Sequence, residues 1–236
     1  MMLPYIDRTP QVNLLATDTS TLRAAIALQR DDGARTTAPV ESGRRHGREL
    51  VPLIRDLLAR AGLRAADLGA IGVGLGPGSY TGLRVGVTAA KTLAYATGAT
   101  LYGLDSLAFF ARSASVEATR VTVVSDAQRG DLHVADFHRE SGGGPLTRLG
   151  PTRIESRAVA LAGWTDPLTV VGPGLEAWDA EWPPHIVVHK DVAPDPEILL
   201  GLLSEAILGG ESSDPWFLEP IYLRRSAAED QWERRR

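Results

Sequence analysis

IGVGLGPGSYTGLRVGVTAAK, from Ile71 to Lys91, is the stretch on which the reading of this chain turns. Ala70 to Gly74 predicts a buried strand. Gly74, Gly76, Pro77 and Gly78 then form a loop, and from Ser79 the spacing becomes helical and runs to Thr97, closed by Gly98. Ser79 is a favoured N-cap residue, with Thr81 in the first turn behind it. Strand, glycine loop and helix N-terminus together aim backbone N–H groups at an anion, or let another chain come close to backbone. Two common nucleotide signatures do not fit. A G-x-G-x-x-G pattern begun at Gly74 meets Ser79 where its third glycine belongs. A G-x-x-x-x-G-K-[ST] pattern ending on Lys91-Thr92 meets Val85 and Ala90 at its glycine positions. The loop is therefore either a tight turn or a place of close approach.

The helix after the loop places Gly82, Gly86, Ala90 and Ala94 four residues apart, one smooth ridge along its length. Glycine in mid-helix costs roughly 0.5–1 kcal/mol relative to alanine, so close packing of another backbone must compensate. That backbone belongs to the chain's own sheet or first helix, or to another protein.

Working outward, Val12 to Ala16, Ala24 to Leu28 and Arg35 to Val40 read as three strands, the first ending in the polar turn Thr17-Asp18-Thr19-Ser20-Thr21. Ser42 to Ala61 reads as a helix closed by Gly62, with Leu50, Leu53, Ile54, Leu57 and Leu58 on one stripe and Pro52 as a kink or a late start. Thr100 to Leu104 is a strand, and Asp105 to Arg112 a short helix capped by Asp105. The second half opens in the same way: Arg120 to Ser125, Asp131 to His138 and Leu146 to Thr152 as strands. Then come Glu155 to Ala162 (helix), Leu168 to Val171 (strand), Pro196 to Leu208 (helix) and Glu219 to Leu223 (strand). Two meanders, each entered by strand and aspartate (Asp18, Asp126), indicate a duplicated α/β architecture. The divisions expected are an extension over 1–11, a first lobe over 12–112, a second over 113–225 and a polar tail over 226–236.

The 236 residues suffice for two lobes with real cores. A formal net charge of −4 and a pI of about 5.8 argue against a free-standing nucleic-acid binder. Without cysteine there is no disulfide and no thiolate ligand or nucleophile. No signal peptide and no membrane span is evident, so a cytoplasmic location is expected. Asp18 and Asp126 could hold a metal–nucleotide, or could simply form turns. His185 and His189 share a chelating spacing, but Pro183-Pro184 and the apolar Ile186 to Val188 make the segment a strand, where four residues span about 13 Å. No nucleophile comes with a base.

Together LLATDTST (Leu14 to Thr21), RHGRELVPLI (Arg45 to Ile54), GLGPGSYTGLRVGVTAAKTLA (Gly74 to Ala94), DAQRGDLHVADF (Asp126 to Phe137) and EPIYLR (Glu219 to Arg224) resemble the TsaB (YeaZ) family of tRNA threonylcarbamoyladenosine biosynthesis. The resemblance implies a two-lobed actin-like, ribonuclease H-like ATPase (ASKHA) fold. It implies a non-catalytic partner of a TsaD-like catalytic subunit, working with a TsaE-like ATPase, touching tRNA only indirectly and having no cofactor of its own. It leaves open a nucleotide at the partner interface and pairing of two copies when the partner is absent. The catalytic relatives carry two metal-ligand histidines after the strand that here is Thr100 to Leu104; the corresponding residues are Ser106 and Phe110. Asp18, Thr19, Ser20 and Asp126 would be a vestigial nucleotide site. The partner interface implied is the two first-lobe helices: His46, Leu50, Leu53, Ile54 and Leu57, then Tyr80, Gly82, Leu83, Gly86 and Ala90. That favours contact with another protein as the use of the small ridge. The extension over 1–11 departs from the family. The alternative is an ATP-dependent kinase-type enzyme of the same fold, supported by Asp18 and Asp126 but lacking a clear adenosine-binding glycine motif in the second lobe.

Overall fold

The structure, a computed structural model, describes residues 12–39, 46–140, 144–175, 178, 181–190, 192, 195–224 and 232. The expected extension over 1–11 and most of the tail over 226–236 lie outside these residues. So do Ser42 to Arg45 of the predicted first helix.

In the first lobe β1 (Asn13–Asp18), β2 (Ala25–Gln29) and β3 (Arg35–Pro39) form an antiparallel meander. After α1 (His46–Arg60), β4 (Leu68–Gly74) joins β1 in parallel, with Leu15 opposite Ile71. After α2 (Tyr80–Thr97), β5 (Thr100–Leu104) adds in parallel to β4. The sheet order is β3-β2-β1-β4-β5.

The second lobe repeats this plan. A short α3 (Ser106–Ala111) leads to the meander β6 (Arg120–Asp126), β7 (Asp131–His138) and β8 (Thr147–Ser156). After α4 (Arg157–Gly163), β9 (Leu168–Val171) pairs in parallel with β6, and β10 (Ile186–His189) in parallel with β9. The order β8-β7-β6-β9-β10 matches the first sheet strand for strand. The duplication read from the two meanders is therefore present, and the fold is the two-lobed ribonuclease H-like, actin-like one.

The central strands β1, β2, β4 and β9 are buried on both faces, which is why they are largely apolar. Leu14, Ala16, Ala25 and Ala27 face a central core shared with Val121, Val123, Ala135 and Phe137 of the second sheet. Leu15, Ile26, Leu28, Ile71 and Val73 face α1 and α2 on the other side. A third cluster, built on Trp164 and Trp178, covers the outside of the second sheet. The last helix, α5 (Pro196–Gly209), crosses back and packs on the first sheet, contributing Leu199, Leu200 and Leu203 to the central core.

Several boundaries depart from the sequence reading. α1 continues through Pro52, which sits on its exposed side. β8 extends to Ser156 and takes Glu155 with it; the carboxylate of Glu155 pairs with Arg153, and α4 starts only after the Ser156 cap. Glu219 to Leu223 is not a strand. It belongs to a strap over residues 211–224 that meets the first lobe through a bridge of Ser213 to Leu101 and a bond from the Ile221 amide to the Leu75 carbonyl. The segment from His185 to His189 is a strand over Ile186–His189, as expected, and His185 Nε2 lies 2.9 Å from the Trp164 carbonyl oxygen.

Candidate functional site: the glycine loop and the first-lobe helices

The strand–loop–helix at Gly74 to Ser79 lies flat on the turn that follows β1. The Ser79 amide donates to the Ser20 carbonyl (2.7 Å), and the Ser79 side chain caps α2 by accepting from the Gly82 amide. Asp18 lies beneath the loop. Its Oδ1 accepts from the Ser20 amide (2.7 Å) and its Oδ2 from the Ser106 hydroxyl (2.5 Å), while Ser106 Oγ accepts in turn from the Gly76 amide (2.9 Å). Burial raises the Asp18 carboxyl above its usual value of 3.8, against the lowering effect of these hydrogen bonds.

The glycines are there for contact. A Cβ on Gly74 would lie 1.9 Å from Asp18 Oδ2, and one on Gly78 would lie 2.3 Å from the Ser20 carbonyl oxygen. Asp18, Thr19 and Ser20 are 3 %, 0 % and 3 % exposed. The loop thus covers the three first-lobe residues that a vestigial nucleotide site would use. Of the two readings the sequence allowed for Asp18, a metal–nucleotide ligand or a turn former, its bond to the Ser20 amide is that of a turn former. Asp126, at the end of β6, bonds the amide and side chain of Gln128 and acts as a turn former. No hydrogen bond joins it to Asp18. Among the described residues there is no group of three or more His, Asp or Glu side chains that could hold a metal ion.

The small ridge is also turned inward. A Cβ on Gly82 would lie 2.1 Å from the Thr19 carbonyl oxygen, and one on Gly86 would lie 2.3 Å from Thr19 Oγ1. The Thr19 hydroxyl itself donates to the Gly82 carbonyl (2.7 Å). Ala90 and Ala94 join the core on the first sheet. The compensation for glycine in mid-helix is therefore the chain's own turn, not a partner's backbone. Of the interface candidates, Leu50, Ile54, Leu57, Leu83, Gly82, Gly86 and Ala90 are buried inside this chain and cannot be a docking surface; Leu53 is half-buried. Burial follows the apolar stripe, as it must when the stripe covers a sheet. Tyr80 and Thr81 are exposed. His46 opens α1, and its side chain lies outside the described residues.

What these helices leave to solvent is their opposite faces: Arg48, Val51, Arg55 and Ala59 on α1, and Thr81, Arg84, Thr88, Thr92 and Tyr95 on α2. Val51 is 59 % and Tyr95 78 % exposed, in a chain whose other large apolar helix residues are mostly inside. Ser106 and Phe110 stand at the two positions where the resemblance places the catalytic relatives' histidines. Ser106 is committed to Asp18 and the loop, and Phe110 packs in the central core against Phe109.

Two functional features carry no signal in the sequence. Ser106 stands there only as a lost ligand, although it ties the glycine loop to β1. Arg224 stands there only as the end of a motif. Its guanidinium donates to the Ala127 and Gln128 carbonyls and to Asp131 (2.5 Å), anchoring the strap on the second lobe's β6–β7 turn. Nearby, the His133 ring lies 3.2 Å from Ser125 Oγ. Burial first, and the Arg224 charge second, push its pKa down to about 4, with Asp126 acting in the opposite sense.

Known proteins resemble this chain over most of its length. The family model described as "TsaD: tRNA N6-adenosine threonylcarbamoyltransferase" matches residues 26–144. The tRNA threonylcarbamoyladenosine biosynthesis protein TsaB of Escherichia coli (strain K12) is 30 % identical over 228 residues, covering 92 % of this chain and 96 % of that protein. Its Bacillus subtilis (strain 168) namesake is 28 % identical, covering 94 % and 98 %. The crystal structure of YeaZ from Pseudomonas aeruginosa superposes with a TM-score of 0.77 at 28 % identity, over 90 % of this chain and all of that one. A duplicated ribonuclease H-like fold, a glycine loop seated on its own β1 turn and full-length similarity lead to one assignment: the chain belongs to the TsaB (YeaZ) family of tRNA threonylcarbamoyladenosine biosynthesis proteins.

Proposed function

We propose that this protein is a non-catalytic partner of a TsaD-type catalytic subunit, and that it supports transfer of a threonylcarbamoyl group to the adenosine beside the anticodon of tRNA. A TsaE-type ATPase works in the same assembly, and tRNA is held mainly by the other subunits. The observation that carries this reading is the closed glycine loop. The parts a catalyst of this fold would use to grip phosphate or metal are present as backbone but folded onto one another through Asp18, Ser106 and Gly76. The outer faces of α1 and α2, with Val51 and Tyr95 exposed, supply a surface for another protein. The docking surface is therefore the face opposite the buried ridge.

Sedimentation of this protein with the TsaD-type subunit of the same organism tests the reading. A complex heavier than either component is expected. Two species sedimenting independently at tens of micromolar would contradict it.

A further inference from the structure

Where the end of the strap passes the glycine loop and β8 of the second lobe, the three frame a slot of about 410 Å³. Leu75, Pro77 and Leu104 line it from the first lobe, Pro151 from β8, and Ile221 and Leu223 from the strap. Its walls are tied together. The Ile221 amide donates to the Leu75 carbonyl (2.8 Å), and the Leu75 amide to the Leu104 carbonyl (2.8 Å). Ile221 and Leu223 nevertheless stay 41 % and 38 % exposed, so fixed apolar walls are left facing water. None of Asp18, Thr19, Ser20 and Asp126 lines the slot, which is therefore separate from the vestigial nucleotide positions.

Three polar side chains also line it, and their unused capacity is on the donor side. Both Asp105 oxygens are engaged: Oδ1 accepts from the Leu107 amide (2.9 Å), and Oδ2 from Arg148 Nε (2.9 Å) and Nη2 (2.7 Å). Arg148 Nη1 donates to Thr152 Oγ1 (3.1 Å), and the guanidinium lies 5.1 Å from the centre of the Phe137 ring. A guanidinium has five N–H groups. Three are engaged here, and two have no partner among the described residues. Among the same residues the Thr152 hydroxyl accepts but does not donate. An occupant must therefore bring an acceptor. Charge narrows the choice. Asp105 already neutralises Arg148, so a carboxylate head would add an uncompensated negative charge beside Asp105, whereas a carbonyl oxygen would not. The described lining offers no aromatic ring for a planar base to stack on, only aliphatic surface.

We propose that this slot binds a small uncharged molecule that carries an amide carbonyl on a branched aliphatic body. The carbonyl oxygen accepts from Arg148 and Thr152, and the aliphatic part covers Leu75, Ile221 and Leu223. Bound there, the molecule bridges both lobes and the strap. An apolar cleft of this volume with a few convergent polar groups is the usual form of a small-ligand site. The inference stands apart from the function proposed above.

Methyl-resolved NMR of the full chain tests this. The probes are N-acetyl-L-leucine methylamide, which is uncharged, and N-acetyl-L-leucine, the same body with a carboxylate. The amide is expected to shift the Leu75, Ile221 and Leu223 methyl signals saturably, with a Kd of about 1 mM, the scale for so small a molecule. The carboxylate is expected to bind about tenfold more weakly. Arg148→Met should raise the Kd of the amide about tenfold. Leu223→Trp, which fills the slot from its strap side, should abolish the shifts at Leu75 and Ile221. Should Arg148→Met not fold, Thr152→Val decides the same point, since it removes one donor and leaves the pair with Asp105 in place. Shifts that stay linear up to about 20 mM amide, or a Kd unchanged in these variants, would overturn the proposal. Equal or tighter binding of the carboxylate would overturn it as well, because the occupant would then be an anion.

Discussion

Ser106 Oγ lies 2.5 Å from Asp18 Oδ2, a hydrogen bond that reaches from the first turn of α3 to the end of β1 and is completed by the Gly76 amide above it. This single hydroxyl closes the glycine loop over a buried carboxyl group. Where the resemblance places a metal ligand, the chain has a side chain that satisfies its own backbone. In this arrangement both carboxyl oxygens of Asp18 are engaged, Oδ1 by the Ser20 amide and Oδ2 by the Ser106 hydroxyl.

The raised pKa of Asp18 has a definite sign in stability. Its folded-state value lies above 3.8, so its contribution is fully present below pH 3.8 and is lost as pH rises through the raised value. In Asp18→Asn no charge has to be buried. The stability of the variant relative to wild type should therefore increase with pH and level off above the folded pKa, as read by urea denaturation at a series of pH values. A difference independent of pH would mean that the carboxylate is not desolvated.

Gly82→Ala separates helix propensity from packing. Propensity alone favours alanine by about 1 kcal/mol. The new Cβ would meet the Thr19 carbonyl oxygen at 2.1 Å, a backbone atom that cannot move aside without shifting the β1 turn. Packing should win, with a net loss of about 2–3 kcal/mol in chemical denaturation. A stabilised variant would show that the ridge is not seated on Thr19.

His133 makes the second lobe acid-sensitive. Its pKa falls from 6.5 to about 4 on folding, so its contribution is complete above pH 6.5 and is lost as pH falls towards 4. The size is about 3 kcal/mol across that window, as an upper figure. His133→Gln, which keeps a polar partner for Ser125, should flatten the stability profile between pH 6.5 and 4. An unaltered profile would place the acid sensitivity elsewhere.

Arg224→Ala should release the strap from the second lobe. Losing the bonds to Ala127, Gln128 and Asp131 should cost about 1–3 kcal/mol. The same variant removes a positive charge from beside His133, so the His133 pKa should move up towards 6.5 in an NMR titration. Loss of stability without that shift would argue that Arg224 does not face the ring.

Much of this fold is legible in the amino-acid sequence. Ser79 and Asp105 announce their helices because a side-chain acceptor at an N-cap is a local, self-contained device, and both accept from the amides expected of caps. The two meanders betray the duplication because strand–aspartate–turn recurs at the start of each lobe. The direction of the Gly82–Gly86 ridge is not legible, since a smooth helix face looks the same whether its own turn or a partner lies against it. Thr19 settles that only in three dimensions. The strap reads as a strand because Ile221 and Leu223 flank Tyr222 in a short apolar run. In space, among the described residues, the strap makes only two isolated backbone bonds to the first lobe, Ser213 to Leu101 and Ile221 to Leu75, and the rest of its anchoring is by the side chains of Lys91, Arg84 and Arg224. Likewise, no local pattern says that α5 crosses back to the first sheet. Its partners there, such as Arg35 with Glu197, lie more than a hundred residues apart.

The central claim is that the closed loop leaves this protein a partner and not a catalyst. The most direct measurement is threonylcarbamoyl transfer to tRNA from the activated adenylate, with this protein alone, with the TsaD-type subunit alone, and with the two combined alongside the TsaE-type ATPase. The account predicts no turnover by this protein alone and a clear gain when it is added to the catalytic subunit. Sustained turnover by the isolated protein, lost in a Ser106 or Asp18 variant that remains folded, would contradict it.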